Sequence, residues 1–248
     1  YYEAAALPEI DPAIDLTMLK VNFKFRTSNL NYNVQVGVMT NPYDITTFTP
    51  IQTFASSATG IWEDFTAYLL PYAGTGHVIA FMCGDGTATN AAFIDDITLD
   101  YAEDCMPPVA PMASNVTSNS ATLSWTSPAS VTSWQFMIGH DGFTIDTVTP
   151  NDIDQNSWNF TDLQPNTPYD FYVRAICTDG SYTSWSHVSF TTGCASITTI
   201  PYTETFDTYG TGSNVFPDCW KKSGNGSAYL IGTNFSAPAS LYLYTTAT

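Results

Sequence analysis

An all-β fold is predicted for this chain, and three observations predict it. Apolar and polar residues alternate in run after run, the two-residue period of a half-buried strand. No apolar stripe at i, i+3, i+4 and i+7 appears between credible helix caps. The polar surface is supplied by Thr, Ser and Asn, with charged residues only 12% of the chain, a composition that favours strands and turns. At 248 residues, with 44% hydrophobic and 15% aromatic content, the chain suits two domains and can bury real cores. No helix longer than two turns is expected.

The charge narrows the partners. Six Lys and Arg stand against 23 Asp and Glu, a formal charge of −17. Six cations cannot build a phosphate-tracking surface, so no nucleic-acid partner is expected. An anionic membrane surface is disfavoured for the same reason, and no apolar run approaches the roughly 18 residues that suggest a spanning helix. The acidity serves solubility outside a cell, or part of it holds calcium through hard carboxylate oxygens.

Five cysteines, Cys83, Cys105, Cys177, Cys194 and Cys219, are scattered without a Cys-x-x-Cys and without a histidine at ligand spacing. A zinc site is therefore not expected. Disulfides formed in an oxidising compartment are, and an odd count leaves at least one thiol over.

The stretch from Cys105 to Cys194 is the most legible. Pro107-Pro108-Val109-Ala110-Pro111 reads as a stiff connector. Ala121, Leu123 and Trp125 share one face of a strand. Ser133–Gly139 precedes a His140-Asp141-Gly142 turn, which is expected to fold Phe143–Val148 back as the second arm of a hairpin. Leu163, Pro165, Thr167, Tyr169, Phe171, Val173 and Ala175 fall at every second position, and Asp179-Gly180 turns that strand into Trp185–Phe190. This arrangement resembles the fibronectin type III family over Met106–Gly193. The resemblance implies that Trp125 is the core tryptophan of the second strand and that Tyr169 is a tyrosine-corner residue ahead of the sixth. It also implies a Cys105–Cys177 bridge, because in such a sandwich strand six ends at the pole where strand one begins. No Arg-Gly-Asp lies in the Thr178–Thr183 turn.

Residues 19–99 alternate as well: Leu19 to Phe25, Val34 to Val38, His77 to Phe81, and Phe93 to Leu99, with turns at Asn41-Pro42, Gly74-x-Gly76 and Gly84-Asp85-Gly86. Val36–Pro42, Trp62 with Asp64 and Phe65, and Ile94-Asp95-Asp96-Ile97 resemble the galactose-binding-like jelly rolls of MAM and cleaved-adhesin type common in Bacteroidota surface proteins. The opening motif of that family lies at the other end of this chain, in Pro201–Asp207 and Phe216–Trp220. The expected organisation is therefore the last two thirds of a jelly roll at 1–104, a fibronectin type III domain at 105–193, and the first third of a further jelly roll at 194–248. Either the chain is one period of a tandem array, or its ends are arbitrary. Cys194 and Cys219 flank the opening strand of the second jelly-roll part, which implies a second bridge and leaves Cys83 free.

Chemistry is mostly absent from the sequence. His77, His140 and His187 lie on separate strands or turns, and no nucleophile elbow, zinc-protease helix or phosphate loop is present. No catalytic residue and no enzymatic activity are expected. The jelly-roll resemblance implies a structural calcium held by Glu204 and Asp207 of a first strand with Asp95 and Asp96 of a last one; a solvated carboxylate cluster at a sheet edge is the alternative. Tyr32, Tyr43, Trp62 and Tyr72 are available to a sugar, with partly buried core packing the alternative for each, and Asp146-Thr147-Val148 matches a short bacterial O-glycan acceptor pattern at Thr147. The expected function is an extracellular, secreted or cell-surface, adhesin-like filament or stalk whose partners are neighbouring copies or repeats, with a glycan or surface ligand also in view. The alternative is an accessory or spacer region of a large secreted hydrolase or peptidase.

Overall fold

A computed structural model describes residues 3–30, 32–83, 91–232 and 239–245. The Gly84-Asp85-Gly86 turn expected from sequence lies outside them. Sixteen strands and three 3-10 turns of three residues each are assigned among the described residues, so the fold is all-β. The persistent alternation leaves no continuous apolar stripe for a helix to bury, and among the described residues no helix is long and apolar enough to cross a membrane.

The chain divides into two compact units. The first comprises Tyr1–Ala113, Leu123–Trp158 and Asp170–Ser189; the second comprises Ser114–Thr122, Asn159–Tyr169 and Phe190–Thr248. The stretch expected to be a fibronectin domain contributes segments to both.

In the first unit, strand β1 (Glu3–Ala6), β3 (Val34–Met39), β4 (Phe48–Phe54) and β6 (Val78–Cys83) form one sheet in the order β1-β6-β3-β4. Strands β2 (Leu19–Thr27), β5 (Glu63–Tyr68) and β7 (Ala92–Tyr101) form a second, in the order β5-β2-β7. β2 shows why: its odd residues Leu19, Val21, Phe23 and Phe25 are 0–4% exposed, while Lys20, Asn22, Lys24 and Arg26 point the other way. The buried set packs against Val34, Val36, Val38, Ile79 and Phe81 of the facing sheet. Phe23 meets Phe54 and Phe81 edge-on at 5.2 and 5.0 Å, the preferred aromatic arrangement. β3 and β4 shift register between Val36 and Gly37. A side chain at Gly37 would strike the Thr49 carbonyl at 2.3 Å and the Phe48 ring at 2.5 Å, so the close approach there demands glycine.

Strands β8 (Val109–Ser114), β9 (Ala121–Thr126) and β12 (Ser157–Phe160) make a sheet in the order β12-β9-β8. Strands β10 (Trp134–His140), β11 (Asn151–Ile153), β13 (Pro168–Ala175) and β14 (Ser186–Thr191) make another, β11-β10-β13-β14. Together they give the two-sheet, seven-strand arrangement of an immunoglobulin-like sandwich. Trp125 is 4% exposed and packs on Trp134 and Phe171 with centroids 5.8 and 5.7 Å away. The Tyr169 hydroxyl accepts the Gln164 N–H at 2.9 Å, the bond of a tyrosine corner.

Three sequence expectations need correction here. Gly142 does turn the chain, at φ 75°, but Phe143–Val148 is not the returning arm. Ile145–Thr147 is a 3-10 turn, and the partner of β10 is β11, with Trp134 opposite Ile153. The Phe143 ring is instead turned onto Tyr172, edge-on at 5.5 Å. The Pro-rich stretch is not merely a connector, since β8 begins at Val109 and runs through Pro111. The alternation from Leu163 becomes strand only at Pro168.

In the second unit, β15 (Ser227–Ile231) and β16 (Ser240–Tyr244) pair antiparallel as a two-stranded sheet of their own. Residues 194–226 carry no assigned strand apart from an isolated bridge between Gly212 and Leu230.

Candidate binding surfaces

The structure forms a Cys105–Cys177 bridge and a Cys194–Cys219 bridge, with Cα separations of 5.7 and 5.6 Å. Cys83 is free and half-buried. The first bridge spans 72 residues and ties the entry of the sandwich to the end of β13.

Asp95 and Asp96 lie exposed on β7, where the Asp95 carboxylate accepts the Asp96 N–H at 2.8 Å and Asp96 takes φ 49°. In the other unit, Glu204 accepts the Phe206 N–H at 2.7 Å and the Tyr202 hydroxyl at 3.3 Å, and Asp207 is exposed. Among the described residues no three His, Cys, Asp or Glu side chains gather as a metal cluster. Thr147 is exposed at the end of its 3-10 turn, its hydroxyl donating to the Thr144 carbonyl at 2.7 Å.

The four aromatics available to a sugar separate into two classes. Tyr32 and Tyr72 are each only 8% exposed, and Tyr72 uses its hydroxyl to accept the Gly76 N–H; both are core residues. Tyr43 is 95% exposed and Trp62 42%. Tyr43 rides a turn stitched from within: Asn41 Oδ1 accepts the Tyr43 N–H at 3.0 Å, and the Thr47 hydroxyl donates to the Asn41 and Asp44 carbonyls. Beside it opens a cleft of about 520 Å³ lined by Leu7, Pro8, Glu9, Thr40 and Pro42.

The outward face of β5-β2-β7 is a second surface. The Arg26 guanidinium lies over the rings of Trp62 and Phe93, at 5.3 and 4.5 Å. Lys24 pairs with Asp64 at 2.7 Å, Lys20 pairs with Glu103, and Asn22 bonds Thr66 and Thr98. Half of the chain's six cations thus stand on one face of one strand, matched by aromatic rings and acids across the ladder.

Sequence reasoning missed a polar cluster on the sandwich that holds Trp125. Asp170 is 5% exposed; its Oδ2 accepts the Gly142 N–H at 2.8 Å, and its Oδ1 accepts the Ser189 hydroxyl at 2.7 Å and meets His187 Nε2 at 2.9 Å. Ser189 and His187 are two apart on β14, so they share a face, and Asp170 has the opposite parity to the core residues Tyr169 and Phe171. That parity was the available signal. Ser, His and Asp here do not make a nucleophilic triad: one imidazole nitrogen faces both partners, whereas relay chemistry needs the two nitrogens to divide them. The cluster instead pins the Gly142 turn to the sheet. Burial raises the Asp170 pKa, but the Gly142, Ser189 and His187 contacts outweigh it and hold the carboxyl below its ordinary value. A carboxyl lowered on folding stabilises the fold above its unfolded pKa and loses that contribution as pH falls through the folded one. The urea midpoint should therefore hold steady down to about pH 5 and fall at lower pH, more steeply in the wild type than in Asp170→Asn. Parallel acid limbs in the two proteins would contradict this.

These features define a disulfide-tied, two-sheet type of β-sandwich. Residues 107–192 match the model of the fibronectin type III domain, and that stretch is such a domain. Solved structures similar to the chain include a computationally redesigned β-sandwich protein (24% identity, 36% of this chain and 96% of that one, TM-score 0.32). They also include the fn3 domain of human contactin 1 (17%, 38% and 82%, 0.33) and the FN5 domain of Drosophila Lar (24%, 37% and 98%, 0.29). No curated protein matches the chain.

Proposed function

We propose that this chain is an adhesin-like repeat of a secreted or cell-surface filament or stalk, acting by binding and spacing. The observation that supports it best is the fibronectin type III sandwich closed by Cys105–Cys177. Such domains with disulfides are typically extracellular, where bridges persist, and such folds typically serve as non-catalytic modules. The jelly-roll resemblance of the flanking segments, and the Bacteroidota setting it implies, support a tandem array in which neighbouring copies meet. A glycan or surface ligand would be met by exposed aromatics such as Tyr43 and Trp62. An accessory region of a secreted hydrolase is the second reading, favoured by that same cleft beside Tyr43.

Calcium and the Thr147 glycan belong to this proposal. Calcium would be held by Asp95 and Asp96 together with Glu204 and Asp207, carboxylates being the hard oxygen donors it takes. Native mass spectrometry of protein from its source tests both: a chelator-sensitive calcium adduct and a hexose-bearing Thr147 peptide are expected, and a bare mass would contradict them. Antibody against the chain should label intact cells or recover it from the medium. Labelling only after permeabilisation would sink the extracellular reading.

A further inference from the structure

Arg26 is a cation fixed by aromatic rings rather than by an acid. It stands on β2 directly opposite Phe93 of β7, and its neighbour Phe25 pairs with Glu63 at the start of β5. Trp62, Arg26 and Phe93 therefore make a row across the outward face of the sheet. The guanidinium lies over Phe93 at 4.5 Å and over Trp62 at 5.3 Å, contacts that limit its rotamers and set the plane of its donors. Among the described residues it makes no ion pair and no hydrogen bond, whereas Lys20 and Lys24 on the same strand each hold a carboxylate. Arg174 shows the contrast. It too lies over two rings, Tyr182 and Trp185, at 4.2 and 4.4 Å, but its Nε and Nη2 both donate to Gln135 Oε1, at 3.1 and 2.7 Å. In a chain with 23 acidic residues and six cations, a stacked guanidinium that none of the described acids reaches is a fork of donors open to an outside acceptor.

We propose that the Trp62–Arg26–Phe93 row is a binding site for a single hexuronic acid residue of a glycan. The inference rests on the glycan-binding reading above and names the class of sugar. A planar guanidinium matches a carboxylate through two parallel N–H bonds. Trp62 and Phe93 are 42% and 41% exposed, and exposed rings beside placed polar groups are what a sugar needs for its C–H face. The guanidinium lies farther from the Trp62 centroid than from that of Phe93, so it covers the indole off-centre and leaves ring surface beside itself. A pyranose stacked on that surface shares the layer of the guanidinium. Its carboxylate meets the donor fork when it projects equatorially from the ring, as in glucuronic acid. The axial carboxylate of an α-linked sialic acid points out of that layer. In the next row Lys24 is opposed by Asp64 and Asp95, whose exposed carboxylates can accept sugar hydroxyls. The same two acids, with a formal charge of −17 on the chain, repel further anionic groups. One charged sugar fits this surface, and a polyanion does not.

The test is titration of the full chain with methyl β-glucuronoside, its methyl ester and methyl β-glucoside, with acetate and sialyllactose as further probes. The acid should bind at least about tenfold more tightly than either neutral sugar, the margin of a charge-assisted bidentate contact. Arg26→Lys keeps the charge but loses the fork and should remove that margin, while Trp62→Ala should weaken all three sugars. The ester comparison uses the unaltered protein, so a folding defect in a variant cannot obscure it. Equal binding of acid and ester, or no binding of the acid, would overturn the proposal. Unchanged affinity in either variant would overturn it too. Acetate binding as tightly as the glucuronoside would mean that any carboxylate suffices, a peptide's included, and tighter binding of sialyllactose would reject the equatorial geometry; either result contradicts the hexuronate assignment. Sugar binding with no preference for the acid would leave the glycan reading standing, and intact-cell labelling is independent of every arm.

Discussion

Replacing Phe171 by alanine should cost about 3–5 kcal/mol of unfolding free energy, the usual cost of removing a buried Phe side chain. Phe171 is 0% exposed. It lies against Trp125 at 5.7 Å and Phe136 at 6.1 Å, so truncation opens a void bounded by large rings that cannot close over it. Phe171→Leu keeps most of the volume and should cost less than half as much. Urea denaturation followed by Trp fluorescence separates the two. Equal losses for Ala and Leu would show that the ring contributes through its aromatic geometry rather than through volume.

Removing the Cys105–Cys177 bridge, as the double substitution Cys105→Ser and Cys177→Ser, should cost about 4 kcal/mol. The bridge closes a 72-residue separation, and the entropy it withholds from the unfolded chain grows with the logarithm of that length. Cys194–Cys219, 25 residues apart, should be worth roughly 1 kcal/mol less by the same relation. A larger loss on removing the shorter bridge would mean that local packing, not chain entropy, sets the contribution.

Much of the architecture was legible because one period dominates the sequence. β2, β3 and β6 are strands wherever Leu19–Phe25, Val34–Val38 and Val78–Phe81 show an apolar face. The fibronectin pattern was readable from Trp125 and the Tyr169–Val173 alternation, since these residues make the core and have no other use. What escaped was decided by side chains rather than by period. Phe143–Val148 alternates well enough for a strand, yet Phe143 finds Tyr172, and the chain takes a 3-10 turn before pairing at Asn151. Tyr32 and Tyr72 were open to either a ligand or the core, because tyrosine serves core and surface alike, and their burial decides for the core. The Asp170 cluster was hidden because its three members lie 17 and 19 residues apart in sequence and meet only when β13 and β14 share a sheet.

The β7 edge teaches a complementary lesson. Phe93–Leu99 was recognisable as a strand, and its composition looks like that of a covered one, but sequence alone does not say how much of it stays in water. Tyr101 and Leu99 facing buried Leu19 and Val21 while themselves exposed is information only the register supplies.

The oxidation state of the cysteines in the native source tests the proposed role as an extracellular binding and spacing module most directly. Protein recovered under rapid thiol alkylation, then mapped without reduction, should yield Cys105–Cys177 and Cys194–Cys219 as linked peptides with the label on Cys83 alone. Alkylation of all five thiols would place the chain in a reducing compartment and contradict the account.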